Sequence, residues 1–503
     1  MGVIARQSIK GALANYLGVA IGFFVSFFVL TKYLTQEEIG LTRVMVDAAI
    51  LFSSVAQLGS NSSIVKFFPY FKDGKNNHGV FGLSVLLPMV GFMLFALAFL
   101  IFREPLLGIY SKNAPLLADY FYQLPMLTFF ALYLGIFETN ASVLLRITVP
   151  KLVREVGIRL FNLATYLLYG FDLISLDVFV WLFCGSYGLA MMLNLFYLIS
   201  LGHISFRIDR GFLTRERVKE IGRYTLFMTA VALAGNIPLF NSLFLGAKTG
   251  LALTGVYTIA SYIANVVEVP YRSLGAISRP VIATAVKDNN WDEVNRLGRQ
   301  VSLHQFLVSL LIFYLIWINV DALFQMIPNG KDFVGGVGVV FLLGMAKVLN
   351  SSFSVGTDIL NFSRHYPWGL VFIAVLTTSA ILFNLSFIDM MGINGAACAT
   401  LSAYIIYFLL LNTFLWRRMR VNVLCIGHLK MMLLIVVLLA LDWGWNHWLT
   451  PVLPLSIIVG AVLKTLVLGS LSVAAVLGWK ISPTVNRIVK KYSPYNKKDN
   501  SAL

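Results

Sequence analysis

The chain has 503 residues, 58% of them hydrophobic and only 12% charged, with a formal net charge of +16 at pH 7 and a mean hydropathy of +0.80. A soluble protein of this composition could not cover its apolar residues with polar surface. The composition therefore excludes a soluble domain and predicts an integral membrane protein.

Long apolar runs recur along the whole chain. A bilayer core about 30 Å thick requires about 20 apolar residues in a helix. Runs of this kind, bounded by charged or turn residues, occupy 11–30, 41–65, 80–102, 121–143, 156–174, 178–201, 224–245, 255–277, 303–320, 333–355, 370–387, 395–415, 431–448 and 455–477. They lack the short alternating pattern of membrane barrel strands, so we predict an all-α polytopic protein with about fourteen transmembrane helices.

Lysine and arginine fall mainly on one side of the predicted helices. When the loops are assigned alternately to two sides, one side has 31 of these residues and the other has five, while Arg43, Lys347 and Lys464 lie within runs. Because cytoplasmic loops are enriched in Lys and Arg, we predict that both termini are cytoplasmic. The same pattern accounts for the net positive charge, so we expect no nucleic-acid partner.

The longest polar link between runs follows the sixth run and separates two groups of six. We predict, in chain order, an N-terminal lobe (1–201), a cytoplasmic linker (202–223), a C-terminal lobe (224–415), two further helices (416–478) and a basic cytoplasmic tail (479–503).

The two lobes resemble each other where their second helices begin. Gly40 opens the second run and Gly255 opens the eighth, and a Lys-Asp pair follows each glycine at a matching distance, at 72–73 and 287–288. Six helices separate the copies, so both start on the same side of the membrane. A parallel repeat of this kind places a substrate cleft between the lobes, and we expect one here.

Motifs for nucleotide binding, metal binding and catalysis are absent from the sequence. The Gly-Lys pairs at 74–75 and 330–331 lack the spacing of a phosphate-binding loop. The three cysteines and six histidines have no metal-ligand spacing, and carboxylates do not cluster as in a glycosyltransferase or ligase. We therefore expect a protein that is not an enzyme and holds no resident cofactor.

Ionisable residues inside the apolar runs are the strongest functional signal, because charge in a membrane is costly and usually faces a partner or a watery cavity. Lys347 lies near the middle of the tenth run. Arg43 with Asp47, and Glu268 with Arg272, have the i, i+4 spacing that lets side chains meet on one helix face. The two pairs either contact substrate or are self-neutralising pairs that make burial tolerable. Lys347 either lines a cavity or has a structural role, with its long stem reaching toward the cytoplasmic face.

Other polar residues in the runs have two interpretations each. Lys464 marks a lateral groove for a lipid headgroup, or pairs with Asp442. Glu138 and Asp358, nearer the cytoplasmic ends, are candidates with Asp47 and Glu268 for coupling to H⁺ or Na⁺, or form solvated ion pairs. The candidate donors to sugar hydroxyls, which could equally bond between helices, are Asn15, Asn236 and Asn265.

Four stretches carry a family resemblance: the glycine-led second run, the glycine-led eighth run, RPVIATAVKDNNWDEVNRLGRQ at 279–300 and GINGAACATLSAY at 392–404. Together they resemble the multidrug/oligosaccharidyl-lipid/polysaccharide exporter superfamily. Within it the chain is similar to the O-antigen and polysaccharide flippases. The resemblance implies translocation of an undecaprenyl-pyrophosphate-type lipid-linked oligosaccharide across the bacterial inner membrane by alternating access. It implies a cationic cavity containing Lys347, Arg43 and Arg272, and partners among membrane lipids, polysaccharide polymerases and glycosyltransferases.

Three other functions stay open. Drug exporters of the superfamily usually have twelve helices and acidic pockets, unlike the pattern here. Lipid II flippases have fourteen helices and arginines in helices one, two and eight; Arg43 and Arg272 match two of these, but the first run offers only Asn15. A scaffold for polysaccharide enzymes would tolerate loss of Lys347 or Arg43, whereas a flippase would not.

Overall fold

The computed structural model describes residues 14, 16–71, 77, 79–202, 214–234, 237–450, 456–482 and 486. Within these residues the protein is helical and contains no strand, which confirms the predicted all-α class. The helices are α1 (Tyr16–Tyr33), α2 (Gln36–Ala56), α3 (Ser60–Phe71), α4 (Val80–Ile101), α5 (Arg103–Tyr110), α6 (Pro115–Asp119), α7 (Gln123–Val143), α8 (Thr148–Leu152), α9 (Ile158–Gly170), α10 (Leu176–Ser200), α11 (Arg215–Ala234), α12 (Ile237–Lys248), α13 (Leu251–Asn265), α14 (Val269–Lys287), α15 (Trp291–Trp317), α16 (Val320–Met326), α17 (Val337–Phe362), α18 (Pro367–Met391), α19 (Ile393–Phe414), α20 (Ile426–Gly444) and α21 (Ile457–Gly478).

Twelve helical stretches of the described chain are long and apolar enough to cross a membrane. They coincide with twelve of the predicted runs. Helices also occupy the other two predicted runs, 156–174 and 224–245, as α9 and as α11 with α12. The protein is thus a multi-pass membrane protein.

Side chains at several helix starts satisfy the free backbone N–H groups. Thr35 accepts a hydrogen bond from the backbone N–H of Glu38, and the Glu38 carboxylate accepts one from the backbone N–H of Thr35. Ser175 caps α10 and Asn290 caps α15 in the same manner. Capping fixes where these helices begin, and so fixes which residues of α2 and α15 face their neighbours.

The chain divides into two compact units, one formed by 1–259, 327–332 and 380–396 and the other by 260–326, 333–379 and 397–503. The division differs from the lobes predicted from the sequence, because α11 and α12 group with the first unit. They do so through contacts of α12 with α2 and of α11 with α3. α11 also begins at Arg215, inside the predicted linker 202–223, of which 203–213 lie outside the described residues.

The core of the first unit surrounds α7. Leu132, Ile136 and Phe137 of α7 are buried against Ala56 of α2 and Met191 of α10. α7 packs on α2, α3, α4 and α10. This packing fixes α2, the helix that contains Arg43 and Asp47.

The core of the second unit surrounds α15, whose Phe306, Phe313 and Tyr314 are buried. α15 packs against α17, α20 and α21. Gly344 of α17 lies so close to the Phe313 ring that an added Cβ would be 2.4 Å from it. This contact fixes α17 one turn before Lys347.

The two glycines that open the proposed repeats meet each other in the first unit. A Cβ at Gly40 would lie 2.0 Å from the Leu251 carbonyl oxygen, and a Cβ at Gly255 would lie 2.0 Å from the Gln36 carbonyl oxygen. Each glycine therefore contacts the residue four positions before the other. This reciprocity is what a local twofold relation between α2 and α13 would produce.

Candidate functional site

Lys347 forms a buried polar cluster with Glu268 and Asn350 in the second unit, here called the Lys347 cluster. The Lys347 ammonium nitrogen lies 3.2 Å from Glu268 Oε2, and Asn350 Nδ2 donates to Glu268 Oε1 at 2.9 Å. The side chains of Lys347 and Glu268 are 13% and 11% exposed. The positive charge predicted at this depth is therefore paired with a carboxylate.

A break in the helix positions Glu268. α13 ends at Asn265, a 3₁₀ turn covers Val266–Glu268, and α14 follows with Pro270 in its first turn. Proline has no N–H, so it cannot donate to the preceding turn and favours a break there. On α17, Lys347 and Asn350 are three residues apart and so share one face. Both point to the same carboxylate.

Arg272 is predicted either to pair with Glu268, at i, i+4 spacing, or to contact substrate in a cavity. It lies in α14, but its side chain is outside the part that the structure describes. The described partners of Glu268 come from α17, which is distant in sequence. Spacing along one helix could not reveal those partners.

Arg43, Asp47 and Ser242 form a second cluster, here called the Arg43 cluster, in the first unit. Arg43 Nε lies 2.6 Å from Asp47 Oδ2, in line with the predicted i, i+4 contact, and Ser242 Oγ donates to the same oxygen at 2.6 Å. The Asp47 side chain is 3% exposed and that of Arg43 is 24% exposed. Sequence analysis missed Ser242, since a single serine on α12 carries no signal of its own.

A chain of neutral hydrogen bonds lies in the same unit. Asn384 Nδ2 donates to Asn241 Oδ1 at 3.0 Å, and Asn241 Nδ2 donates to the Tyr257 hydroxyl at 2.6 Å. All three residues are buried. Asn241 precedes Ser242 of the Arg43 cluster, so α12 contributes to both groups. Sequence analysis had not singled out Asn384 or Tyr257 as candidates.

Lys464 has partners for its ammonium group within the protein. It lies 2.5 Å from Asp442 Oδ1, and it donates to the Ile318 carbonyl oxygen at 2.8 Å and to Asn446 Oδ1 at 3.0 Å. The ammonium group thus has two hydrogen-bond acceptors and one ion-pair partner. This arrangement connects α21 to α20 and to the end of α15, and it favours a structural role for Lys464 over the predicted lipid groove.

The two remaining carboxylate candidates are in ion pairs that are more exposed. Glu138 Oε2 lies 2.5 Å from Arg154 Nη1, and Asp358 Oδ2 lies 3.1 Å from Arg279 Nε. Both arginine side chains are 46% exposed. Salt and water screen such pairs strongly, which makes them poorer ion-coupling candidates than Asp47 or Glu268.

Of the predicted asparagine donors, Asn15 and Asn236 lie outside the described residues. Asn265 is partly buried at the end of α13, three residues before Glu268. No group of three or more His, Cys, Asp or Glu side chains suited to a metal ion occurs in the described part of the chain.

The two clusters share one chemical property. In each, a cation within a membrane-spanning helix is neutralised by one carboxylate, which also accepts from a neutral donor. A guanidinium or ammonium group binds phosphate oxygens as well as carboxylate oxygens. Each cluster can therefore exchange its carboxylate for a phosphate if that carboxylate takes up a proton.

Comparison with solved structures finds proteins that share this fold. The solved structures with similar folds include one described as lipid II flippase MurJ in an inward closed conformation, with a TM-score of 0.69 and 12% identity, covering 92% of this chain and 98% of that one. An inward-facing multidrug resistance MATE family transporter of the MOP superfamily has a TM-score of 0.60 and 18% identity, covering 84% and 98%. A MOP superfamily transporter from Pyrococcus furiosus has a TM-score of 0.53 and 16% identity, covering 82% and 95%.

No curated protein sequence matches the chain. The family model described as polysaccharide biosynthesis protein matches residues 6–286, which is more than half of the chain. The predicted superfamily resemblance is confirmed by this match and by the shared transporter fold. The chain belongs to the polysaccharide biosynthesis protein family, and its fold is similar to those of MurJ and of MATE transporters of the MOP superfamily.

Proposed function

We propose that this protein is a flippase that moves lipid-pyrophosphate-linked oligosaccharide units across the bacterial inner membrane. The translocated units would be used for O-antigen, capsule or exopolysaccharide synthesis. Both termini of the protein would be cytoplasmic. The observation that carries the proposal is the buried Lys347–Glu268 pair in a member of the polysaccharide biosynthesis family.

The charged headgroup of the substrate is what hydrocarbon rejects. A pyrophosphate diester is anionic, and transferring such a group without partners into an apolar medium costs many kcal/mol. Lys347 and Arg43 supply cations that are already within the membrane-spanning helices. When substrate is absent, Glu268 and Asp47 pair with these cations and hold them in place. The sugar hydroxyls would form hydrogen bonds with side-chain amides such as that of Asn350.

Substrate binding would be coupled to protonation. When phosphate oxygens approach Lys347, a negative Glu268 would be repelled, and uptake of a proton by this carboxylate removes the repulsion. The same exchange applies to Asp47 and Arg43. H⁺ suits this chemistry better than Na⁺, because each described carboxylate is surrounded by donors rather than by the several oxygen acceptors that a metal cation requires.

Lipid II flipping is the second candidate, and the fold shared with a lipid II flippase favours it. Lipid II also has a pyrophosphate next to a lipid, so the two charged clusters do not distinguish a lipid II flippase from an oligosaccharide flippase. The two functions differ in which lipid-linked intermediate accumulates when the protein is absent. Drug export fits less well, because both buried carboxylates are already neutralised by cations.

The test is deletion followed by complementation, with paired substitutions that leave no buried charge alone. The variant Lys347→Gln/Glu268→Gln removes both charges of the Lys347 cluster, whereas Lys464→Gln/Asp442→Asn removes those of a pair that connects helices. We expect the first variant to reach the membrane in normal amount, to accumulate lipid-linked oligosaccharide on the cytoplasmic face and to lose surface polymer. The second variant should export polymer.

Normal surface polymer with Lys347→Gln/Glu268→Gln would contradict the proposed role of this pair. Accumulation of peptidoglycan precursor in the deletion strain would favour the lipid II alternative. If no lipid-linked intermediate of either kind accumulates, the flippase proposal is wrong.

A further inference from the structure

A cavity of about 710 Å³ lies at one end of α15 in the second unit, and its lining includes no residue of either charged cluster. α15 contributes Arg296, Arg299 and His304 to its lining, the segment after α19 contributes Arg420 and Cys425, and Ser482 follows α21. Ligand pockets in proteins commonly measure about 300–1,000 Å³. The cavity is large enough for a phosphate with a small polar group attached.

The cavity has an excess of positive charge. Asp292 is the one carboxylate among the lining residues, against three arginines. Arg296 is paired with Glu293, with two nitrogen–oxygen contacts of 2.6 and 2.7 Å. Arg299 uses its Nε to donate to the Asn422 carbonyl oxygen at 3.0 Å. Within the described residues neither Arg299 nor Arg420 has a carboxylate within ion-pair distance, so both guanidinium groups can accept an anion.

Hydrogen bonds hold the wall that contains Arg420 against α15. Asn295 Nδ2 donates to the Arg420 carbonyl oxygen at 3.1 Å, and Asn295 Oδ1 accepts from the Asn422 N–H at 2.9 Å. The hydrogen bond from Arg299 to the Asn422 carbonyl oxygen is the third contact that holds the segment 420–422 against α15. His304 and Ser482, which also line the cavity, share a 2.8 Å hydrogen bond.

Arg420 adopts a backbone conformation that usually favours glycine. Its φ is +55° and its ψ is +28°, in the left-handed region, and it ends the helical turn Leu415–Met419. A non-glycine residue there costs of order 1 kcal/mol. Glycine would end the helix without this cost, and the arginine places a guanidinium at the cavity instead. A glycine could make the same turn, but it would have no guanidinium group to place at the cavity.

The position of the cavity along α15 indicates what kind of anion it meets. The first turns of the helix are polar, with Asp292, Arg296 and Arg299, and the apolar run 303–320 begins at Leu303, which also lines the cavity. The positively charged end is predicted to be cytoplasmic. The cavity thus lies where a transmembrane helix passes from water into hydrocarbon, which is the level of lipid headgroups.

We propose that this cavity binds the phosphate headgroup of an anionic phospholipid of the cytoplasmic leaflet. Arg299 and Arg420 would bind the phosphate oxygens, and the acyl chains would extend into the bilayer. Basic pockets at the cytoplasmic ends of transmembrane helices suit such headgroups. The bound lipid would join the segment at 420–425 to the start of α15, two elements that belong to the same unit.

The test uses the purified full-length protein in detergent and measures its thermal unfolding by tryptophan fluorescence. The probes are dioctanoyl phosphatidylglycerol, dioctanoyl phosphatidylcholine and inorganic phosphate. We expect phosphatidylglycerol to raise the unfolding temperature in a saturable manner and phosphatidylcholine to have no such effect. Arg420→Gln should weaken the apparent affinity by about tenfold, as expected for loss of one charged contact to phosphate.

Arg418→Gln is the matched control, because Arg418 is exposed, lies two residues away and does not line the cavity. Arg420→Gln is preferred over Arg299→Gln, since the Arg299 side chain also holds the 420–422 segment. Arg420→Lys should keep part of the affinity. Equal affinities for Arg420→Gln, Arg418→Gln and the unchanged protein would overturn the proposal. Saturation by inorganic phosphate at the same concentration as phosphatidylglycerol would assign the cavity to a soluble anion instead.

Discussion

Gly40 of α2 and Gly255 of α13 let these helices cross with their backbones in contact, and replacing Gly40 by alanine tests this crossing. The added Cβ would lie 2.0 Å from the Leu251 carbonyl oxygen and close to the Gly255 backbone nitrogen. Both atoms belong to the backbone, so no side-chain rotation can relieve the clash. The helices would have to separate.

The size of the effect follows from that distance. Ordinary contacts of a Cβ fall at 3.4–4 Å, so the pair is about 1.4 Å too close. Overpacking of this kind costs about 1–3 kcal/mol or more, and the better helix propensity of alanine returns about 1 kcal/mol. Because the clash is with backbone atoms, we expect the upper end of this range, a net loss of about 2 kcal/mol or more for Gly40→Ala. Gly255→Ala should behave alike.

The assay is thermal unfolding of the purified variants in detergent, with Gly185→Ala as the matched control. Gly185 lies within α10, and a Cβ there would meet nothing within 4 Å. Gly185→Ala should leave the unfolding temperature unchanged or raise it, whereas Gly40→Ala should lower it. The double variant Gly40→Ala/Gly255→Ala should cost less than the sum of the two single variants, because one separation of the helices accommodates both methyl groups.

Equal unfolding temperatures for Gly40→Ala and Gly185→Ala would refute the close crossing. Strict additivity of Gly40→Ala and Gly255→Ala would show that the two glycines do not share one contact.

Two other predictions concern buried polar groups. Lys464→Gln leaves Asp442 without its ion-pair partner and should destabilise the protein by about 3–5 kcal/mol, whereas Lys464→Gln/Asp442→Asn should recover most of this loss in thermal unfolding. A double variant no more stable than Lys464→Gln would show that the pair does not act as a unit. Ser242→Ala removes one of the two donors to Asp47 Oδ2 and should cost about 1–3 kcal/mol, while Ser242→Thr should keep most of the stability. Equal stability of Ser242→Ala and the unchanged protein would show that this hydrogen bond is dispensable.

The helices could be predicted because each one needs only local information. A run of about 20 apolar residues has few alternatives in a membrane, and the runs at 80–102 and 370–387 correspond to α4 and α18. The run at 156–174 lies in a helical stretch that ends at Gly170, and the described residues of the run at 224–245 belong to α11 and α12.

In the Lys347 and Arg43 clusters, only a partner on the same helix was predictable. Arg43 and Asp47 meet as their i, i+4 spacing indicates. The other partners are set by tertiary packing. Lys347 and Asn350 reach Glu268 from α17, and Ser242 reaches Asp47 from α12. A single sequence carries no record of these long-range contacts.

Lys464 is an intermediate case. Asp442 is the one carboxylate in the run 431–448, so charge balance within the last two helices pointed to the pair that the structure contains. The additional acceptors, the Ile318 carbonyl oxygen and Asn446, could not be predicted, since a backbone carbonyl becomes available only where a helix ends.

Transbilayer movement of a lipid-pyrophosphate-linked oligosaccharide in vesicles tests most directly whether the buried cations carry the substrate. The purified protein is reconstituted with the labelled lipid, and the fraction accessible from outside is followed over time for the unchanged protein and for Lys347→Gln/Glu268→Gln. We expect rapid exchange between leaflets with the unchanged protein and none above protein-free vesicles with the variant. Equal rates for the two proteins would contradict the role of the Lys347 cluster, and no movement with either would contradict the flippase itself.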